Sequence, residues 1–475
     1  MKKILPFFAL LALSSCSMAG SGPSIPDNGT YISRITPRND YQLNIPEQQL
    51  LSPNNNMELG VLEDTYITSY PSGIIDKLLA GWNGPKPPVQ IFLVPSPDFT
   101  SDVSAGGAIF LTAGLLQFFH DNPSMQTEDA LAYTLAHELS HILLGHTDAM
   151  QRNKIMEGYF TGALELGSMA SNMFGGSALA GSTSKAILST VGAHEFINLT
   201  LFNIWSREQE TQADILAIDL MVKAGYSTDE ANSVIQAMVK QEDDANKTKA
   251  ARPDLVSISE NKISLNAGSV ASSYLEEGIK LAQMQHPDAK ERLSKVSLYE
   301  QREYADQITD IKRAALQKWL KTREMTRFLS SSKHIFSAEI AITAHDMQKG
   351  SQELSQVTSP VRESVVWADL SYQVLVFQGK TKQATAMLEK IRNRPDITLD
   401  AAHHWGALLE GEKKYDEAEN YLKTEQDLFN NRDFLPARIK IAKEAKKDSL
   451  MAQLLVICMA SGNEALQKSC EESSK

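Results

Sequence analysis

Residues 127–145 read TEDALAYTLAHELSHILLG. Thr127 is followed by two acidic residues, a pattern typical of a capped helix N-terminus. Apolar side chains then recur at helical spacing, at Leu131, Leu135, Leu139 and Ile142. Gly145 is a typical helix stop. The stretch therefore predicts an amphipathic helix that begins after Thr127 and ends at Gly145.

Two histidines lie four residues apart in this predicted helix, at His137 and His141, and Glu138 directly follows the first. Residues four apart share a helix face, so the two imidazoles can bind one zinc ion. A catalytic zinc lowers the pKa of its bound water to about 7. Glu138 is the predicted general base, which takes a proton from this water and returns it to the leaving amine of a cleaved peptide.

Two histidines do not complete a catalytic zinc site, because such a site has three protein ligands. His146 lies five residues after His141, where the metzincin pattern requires six, so we interpret His146 as a helix-end or supporting residue. We interpret His194 as structural. The predicted third ligand is Glu210.

Glu210 belongs to a second predicted helix, which begins at Ser206 and ends at Ala224-Gly225. Ser206 and Gln209 form a capping-box pair at its start. Glu210 and Asp214 are four residues apart and therefore share a face. One carboxylate can bind the metal, and the other can accept a hydrogen bond from the outer nitrogen of a zinc-bound imidazole. Two solvated acids on a helix surface are the alternative.

The composition limits the classes of protein that the chain can represent. Its 475 residues include 46 Lys and Arg against 58 Asp and Glu, which gives a net charge of -12. This charge argues against a dedicated nucleic-acid binder, and we expect no nucleic-acid partner. A hydrophobic share of 42% is ordinary for a globular protein. The only long apolar run lies at the N-terminus, which argues against a multi-span membrane protein.

The first residues are typical of an export signal. Residues 1–15 combine two lysines with a short apolar run, which predicts a signal peptide. Leu13-Ser-Ser-Cys16 resembles the lipobox of bacterial lipoproteins, which implies acylation of Cys16 and anchoring in the periplasm at the inner face of the outer membrane. Ordinary cleavage after Ala19, giving a soluble periplasmic protein, is the alternative. Residues 16–56 are rich in Ser, Pro, Asn and Gly and predict a tether.

Strand candidates lie in the first part of the chain only, at Val89–Val94 and Ala108–Thr112. From about Glu300 the strand signals vanish. Ala384, Ala418 and Ala452 then follow one another at intervals of 34 residues. This period is similar to that of tetratricopeptide (TPR) repeats, which bind protein segments in a concave groove. An irregular helical domain is the alternative.

Two cysteines lie near the C-terminus, Cys458 and Cys470. In an oxidising periplasm they can form a disulfide that ties down the tail. Two buried free thiols fit the sequence equally well.

The pattern His137-Glu-x-x-His141 followed by Glu210-x-x-Ala213-Asp214 resembles the HtpX and CAAX-prenyl-endopeptidase family of zinc metalloproteases. With the export signal and the repeats, the chain is most similar to that family's periplasmic, TPR-containing BepA branch. The resemblance implies one Zn²⁺ per chain, with His137, His141 and Glu210 as ligands. It implies that Glu138 is the catalytic base and that Asp214 supports the ligands.

The resemblance also implies a fold class and a domain order. The class is α+β and mostly helical. A zincin-like metalloprotease domain with a small sheet is expected over residues 57–299, and an all-α TPR-like domain over residues 300–475. The expected function is degradation of misfolded or stalled envelope proteins, with the repeats docking substrates or the outer-membrane protein assembly machinery. A lipoprotein chaperone or scaffold with a latent or vestigial protease site is the alternative.

His286-Pro287, followed by Arg292, matches a further motif of the family. The resemblance implies that His286 lies on a loop that can reach the zinc as a fourth ligand and block the water position, and that Arg292 lies behind the ligands. A histidine that merely precedes a helix starting at Pro287 is the alternative.

Two segments differ from the family pattern or extend it. Thr100-Ser-Asp-Val103 stands where the family usually has Asn-Ala-Phe-Ala, so the family's substrate preference is not carried over to this chain. Residues 155–205 form a long insertion between the two ligand-bearing helices. This insertion fits a mobile apolar lid, a partner surface, a membrane-surface element or a helical hairpin packed on the catalytic domain.

Overall fold

The computed structural model describes residues 23–41, 51, 60–97, 99–104, 106–146, 206–250, 289–307, 309–429, 431–461 and 463–475, without the side chains of 241–250. Several predictions concern residues outside these ranges: the signal peptide over 1–15, most of the tether over 16–56, Cys16, the insertion over 155–205, His194 and His286.

One small sheet lies in the first part of the chain. Its strands are β1 (Gln90–Val94), β2 (Ser101–Val103) and β3 (Ala108–Thr112). The order is β1-β3-β2, with β3 parallel to β1 and antiparallel to β2. β1 and β3 confirm the two predicted strands. The sequence does not predict β2, because a segment reading Ser-Asp-Val is too short and too polar to show alternation.

Six helices lie in the described ranges up to residue 303. They are α1 (Thr65–Ala80), α2 (Ala113–Asp121), α3 (Glu128–Leu144), α4 (Arg207–Lys223), α5 (Asp229–Ala250) and α6 (Ala289–Glu303), with short 3-10 turns at Tyr31–Arg34 and Pro123–Met125.

The two helices predicted to carry the metal ligands, α3 and α4, are confirmed together with their caps. Thr127 Oγ1 accepts a hydrogen bond from the backbone N–H of Ala130. Gly145 ends α3 at φ 74°, where a side chain would collide with Arg38, since a Cβ would lie 2.0 Å from the guanidinium. Ser206 and the side chain of Gln209 form the expected capping box at the start of α4.

Helix α3 differs from the sequence prediction in its surroundings. Every residue from Glu128 to Leu144 is buried, so the expected solvent-facing side does not exist. Helices α1, α4 and α5 and strand β2 all pack against it. The buried acids at its start, Glu128 and Asp129, are paired instead of solvated. Glu128 accepts from Tyr70, Lys77 and Tyr226, and Asp129 accepts from two backbone N–H groups.

Helices α4 and α6 are joined through the buried Asp219 of α4. Its Oδ1 accepts from the hydroxyl of Tyr299 on α6 at 2.7 Å. Its Oδ2 accepts from the backbone N–H of Ile32 at 2.6 Å, so the N-terminal segment packs over the same junction. These bonds fix α6 beside the helix that carries Glu210.

The described residues after 309 contain helices and no strand. The helices are α7 (Ala314–Leu320), α8 (Arg323–Thr343), α9 (Met347–Gln356), α10 (Val365–Phe377), α11 (Thr381–Ile391), α12 (Leu399–Gly411), α13 (Tyr415–Phe429), α14 (Leu435–Glu444), α15 (Asp448–Met459) and α16 (Glu464–Ser474), with 3-10 turns at Val361–Glu363 and Arg432–Phe434. Within the described part of the chain, no helix has both the length and the apolar character needed to cross a bilayer.

Successive helices of this region pack in pairs, α10 with α11 and α12 with α13. Ala384 and Ala418 are buried where the second helix of each pair packs. Gly406 lies at a close approach, since a Cβ there would come within 2.5 Å of Leu422. Ala452 is exposed, so the third position of the 34-residue period forms no such crossing. The assignment to TPR repeats stays a prediction.

The hydrophobic core crosses the predicted domain boundary. One continuous cluster runs from Tyr31 to Val374, and it includes residues of α7 and α8. The indole N–H of Trp319 on α7 donates to the carbonyl oxygen of Ile67 on α1 at 3.0 Å. A second cluster lies between Val365 and Ile441. The boundary between residues 299 and 300 stays a prediction.

The C-terminal helices are closed by a disulfide between Cys458 of α15 and Cys470 of α16. Both cysteines are fully buried in a small cluster with Leu435, Ile439 and Leu454. A cross-link over 12 residues restricts the unfolded chain and typically stabilises a fold by about 2–4 kcal/mol.

Candidate metal centre

Three side chains of the types that bind metals meet where α3 packs on α4. His137 and His141 lie one turn apart on α3, and Glu210 lies in the first turn of α4. One donor atom from each lies within 4.8 Å of the other two. The three residues are 4%, 0% and 0% exposed. The structure therefore brings the three predicted ligands together, out of contact with bulk water.

The separations of the donor atoms fit a tetrahedral zinc site. Nε2 of His137 lies 3.2 Å from Nε2 of His141. Glu210 places Oε1 at 3.3 Å from Nε2 of His141 and Oε2 at 3.6 Å from Nε2 of His137. Zinc ligands at about 2.0–2.1 Å and a tetrahedral angle are about 3.3 Å apart. Two imidazole nitrogens and one carboxylate are also the donor set that a catalytic zinc takes.

Asp214 orients the first histidine. Nδ1 of His137 lies 2.8 Å from Oδ1 of Asp214. An N–H at Nδ1 donated to this carboxylate leaves the lone pair of Nε2 directed at the other donors. Tyr133, one turn before His137 on α3, donates its hydroxyl to the same Oδ1 at 2.7 Å.

The second histidine is held by neutral groups. Nδ1 of His141 lies 3.0 Å from Nδ1 of His146, whose Nε2 lies 3.1 Å from Oε1 of Gln212. Burial holds the pKa of His141 well below its usual range, and burial lowers the pKa of His146 to about 4. Both rings are therefore neutral at pH 7, and a neutral imidazole is the form that binds a metal.

Arg292 of α6 balances the negative charge behind the ligands. Its Nε and Nη2 donate to both oxygens of Asp214 at 2.8 and 2.7 Å, and its Nη1 lies 3.0 Å from Oε2 of Glu210. Burial acts to raise the pKa of Asp214, but the Arg292 charge outweighs it and holds that pKa well below its usual range. Two carboxylates and one guanidinium leave one net negative charge, which favours a cation at the donors.

Glu138 lies beside the predicted ligands and is not one of the three residues whose donor atoms come together. Glu138 is 1% exposed, and its Oε1 accepts a hydrogen bond from the hydroxyl of Ser101 at 2.7 Å. The side chain predicted to act as the base is therefore held by strand β2, on the side of α3 that the sheet covers.

Three contacts of this site are not predicted from the sequence. Tyr133 precedes His137 by four residues, so a shared helix face is a signal that could have found it. Gln212 lies between Glu210 and Asp214 on α4 and bonds to His146. Ser101 carries no local signal, because only the pairing of β2 with β3 brings it against α3.

A family model covers this part of the chain. Residues 72–300 match the model of Peptidase family M48. The matched range contains α3, α4 and α6, and hence His137, His141, Glu210 and Arg292. M48 peptidases use a metal, typically zinc, so the match and the buried ligand group together indicate a metalloprotease. A comparison with curated proteins gives no match.

Proposed function

We propose that the protein is a zinc-dependent endopeptidase in which His137, His141 and Glu210 hold one zinc ion. The observation that carries this proposal is the arrangement of their donor atoms, at separations of 3.2, 3.3 and 3.6 Å. When bound, zinc supplies a Lewis acid that acidifies a water molecule and polarises a peptide carbonyl.

The remaining steps belong to the side chains around the ligands. Glu138 accepts a proton from the attacking water and donates it to the nitrogen of the leaving amine. Asp214 keeps His137 in the tautomer with its lone pair on Nε2. Arg292 keeps Asp214 ionised and lies 3.0 Å from Oε2 of Glu210. Burial of the group strengthens each of these electrostatic interactions.

We further propose that the enzyme is a periplasmic lipoprotein, anchored through Cys16, that degrades misfolded or stalled envelope proteins. The lipobox-like Leu13-Ser-Ser-Cys16 supports the anchor. The disulfide between Cys458 and Cys470 supports an oxidising compartment, since disulfides are rare in the cytosol. The paired helices from α10 onward are the proposed docking surface for substrates or for the outer-membrane assembly machinery. Closure of the zinc site by His286 is likewise part of this proposal.

Removal of the metal tests the proposed activity. The purified protein is expected to digest casein and to cleave an internal bond of a peptide blocked at both ends. Treatment with 1,10-phenanthroline should abolish both activities, and stoichiometric Zn²⁺ should restore them whereas Mg²⁺ should not, because two of the three donors are imidazoles. Cleavage that continues at the original rate after the zinc content has fallen to zero would contradict the proposal.

A further inference from the structure

The hydroxyl of Ser101 contacts the carboxylate that the proposed function uses as its base. We infer that Ser101 is a positioning residue for Glu138, and that its hydrogen bond fixes the carboxylate in the orientation that proton transfer requires. This inference rests on the proposed function. It assigns a role to strand β2, which carries none of the predicted metal ligands.

The contact is short and buried. Ser101 Oγ lies 2.7 Å from Oε1 of Glu138, and the two residues are 7% and 1% exposed. A distance of 2.7 Å is typical of a well-formed O–H···O hydrogen bond. A serine hydroxyl has a single proton, so this bond also determines the direction of the Ser101 O–H.

Ser101 is itself held by the neighbouring strand β3. It pairs with Leu111 in the antiparallel ladder between β2 and β3. Directly before it, the carbonyl oxygen of Thr100 accepts the Thr112 hydroxyl at 2.7 Å, and the Thr100 N–H donates back to the same hydroxyl at 3.3 Å. The donor therefore stands on a fixed element, which positions a functional group better than a loop does.

Glu138 needs such an anchor because its last torsion is soft. The torsion that rotates a glutamate carboxylate is broad, whereas the torsions before it occupy narrow staggered wells. The helix backbone determines where the carboxylate lies but not how its two oxygens are turned. Ser101 fixes this rotation by holding Oε1, and a misplaced catalytic group can cost about 100-fold in rate.

The test compares Ser101→Ala and Ser101→Thr with the wild-type protein. Ser332→Ala is the matched control, since it removes a buried hydroxyl that bonds within its own helix, to the carbonyl oxygen of Phe328. Ser101→Ala is expected to lower kcat by about 10- to 100-fold with KM within about twofold. Zinc content should not change, and the melting temperature should fall by no more than it does in Ser332→Ala, which also loses a buried hydrogen bond. Ser101→Thr keeps the hydroxyl and should restore most of kcat, and Ser332→Ala should leave it unchanged.

A second readout does not depend on turnover. A peptide hydroxamate binds a metal through its two oxygens and donates a proton to a neighbouring carboxylate. Its affinity for zinc-loaded Ser101→Ala should fall by about tenfold, as expected for loss of a fixed charged hydrogen-bond partner. In the Glu138→Gln background, which lacks the carboxylate, the same serine substitution should lower the affinity by less than it does in the wild-type background.

The outcomes separate this inference from the proposed function. An inactive wild-type protein that carries zinc would contradict the endopeptidase, while the hydroxamate affinities would still decide the role of Ser101. If Ser101→Ala has the same kcat and the same hydroxamate affinity as the wild-type protein, the inference is overturned. Loss of zinc or of stability in that variant, in proportion to the loss of kcat, would make Ser101 a structural residue and would overturn the inference as well.

Discussion

Glu138→Gln is expected to lower kcat for peptide cleavage by about 10²–10⁴-fold, the usual contribution of general acid–base catalysis. Glutamine has the shape of glutamate but cannot take up the proton of the attacking water. Its amide oxygen can still accept the Ser101 hydroxyl, which lies 2.7 Å from Oε1 in the wild-type protein. The side chain should therefore stay in place, and the variant should keep one zinc per chain.

The measurement is kcat on a blocked peptide together with zinc content by mass spectrometry. Glu291→Gln is a suitable control, because it removes one exposed carboxylate on α6 that pairs with Lys295. The control should keep wild-type activity. Cleavage by Glu138→Gln at the wild-type rate would show that another group serves as the base, and loss of zinc would show that Glu138 helps to hold the metal.

Of the substitutions proposed here, Arg292→Met is expected to cause the largest loss of folding stability. Arg292 is 2% exposed and contacts both Asp214 and Glu210. Removal of the guanidinium leaves two buried carboxylates without their cation, and breaking a buried pair in this way typically costs about 3–5 kcal/mol. The measurement is the free energy of unfolding in urea. Lys295→Met on the same helix is the matched control, and it should have little effect because its ion pair is exposed.

Two conditions should change the size of this loss. Saturating Zn²⁺ should recover part of the stability of Arg292→Met, because a divalent cation replaces the missing charge.

Arg292 lowers the pKa of Asp214 in the folded state, so this carboxylate stabilises the wild-type fold above its unfolded pKa of about 3.9. That contribution is lost as the pH falls further. The difference between wild type and Arg292→Met should therefore shrink in acid, and an equal difference at pH 7 and pH 3 would contradict this role.

The sequence predicts those parts of the site that local rules control. The caps at Thr127 and Ser206 define where α3 and α4 begin. The four-residue spacing places His137 with His141, and Glu210 with Asp214, on common faces. The two histidines of α3 need a third zinc ligand, and α4 is a second capped helix that carries acidic residues. These two facts are sufficient to predict that α3 packs against α4.

The remaining parts depend on contacts between distant segments. The ion pair of Arg292 with Asp214 spans 78 positions of the sequence, and only the resemblance to a family motif indicates it. Strand β2 forms because it pairs with β3. The local sequence therefore predicts neither the strand nor the contact of Ser101 with Glu138. Helix α3 is completely buried because neighbouring elements cover both of its faces. The periodic apolar residues in its sequence indicate burial of only one face.

Anomalous diffraction at the zinc absorption edge, from crystals of the zinc-loaded protein, tests the proposed zinc site by locating the metal itself. We expect one strong peak per chain, at about 2.0–2.2 Å from Nε2 of His137, Nε2 of His141 and a carboxylate oxygen of Glu210. A peak at another place, or bound zinc with the Glu210 carboxylate turned away from both imidazoles, would contradict it.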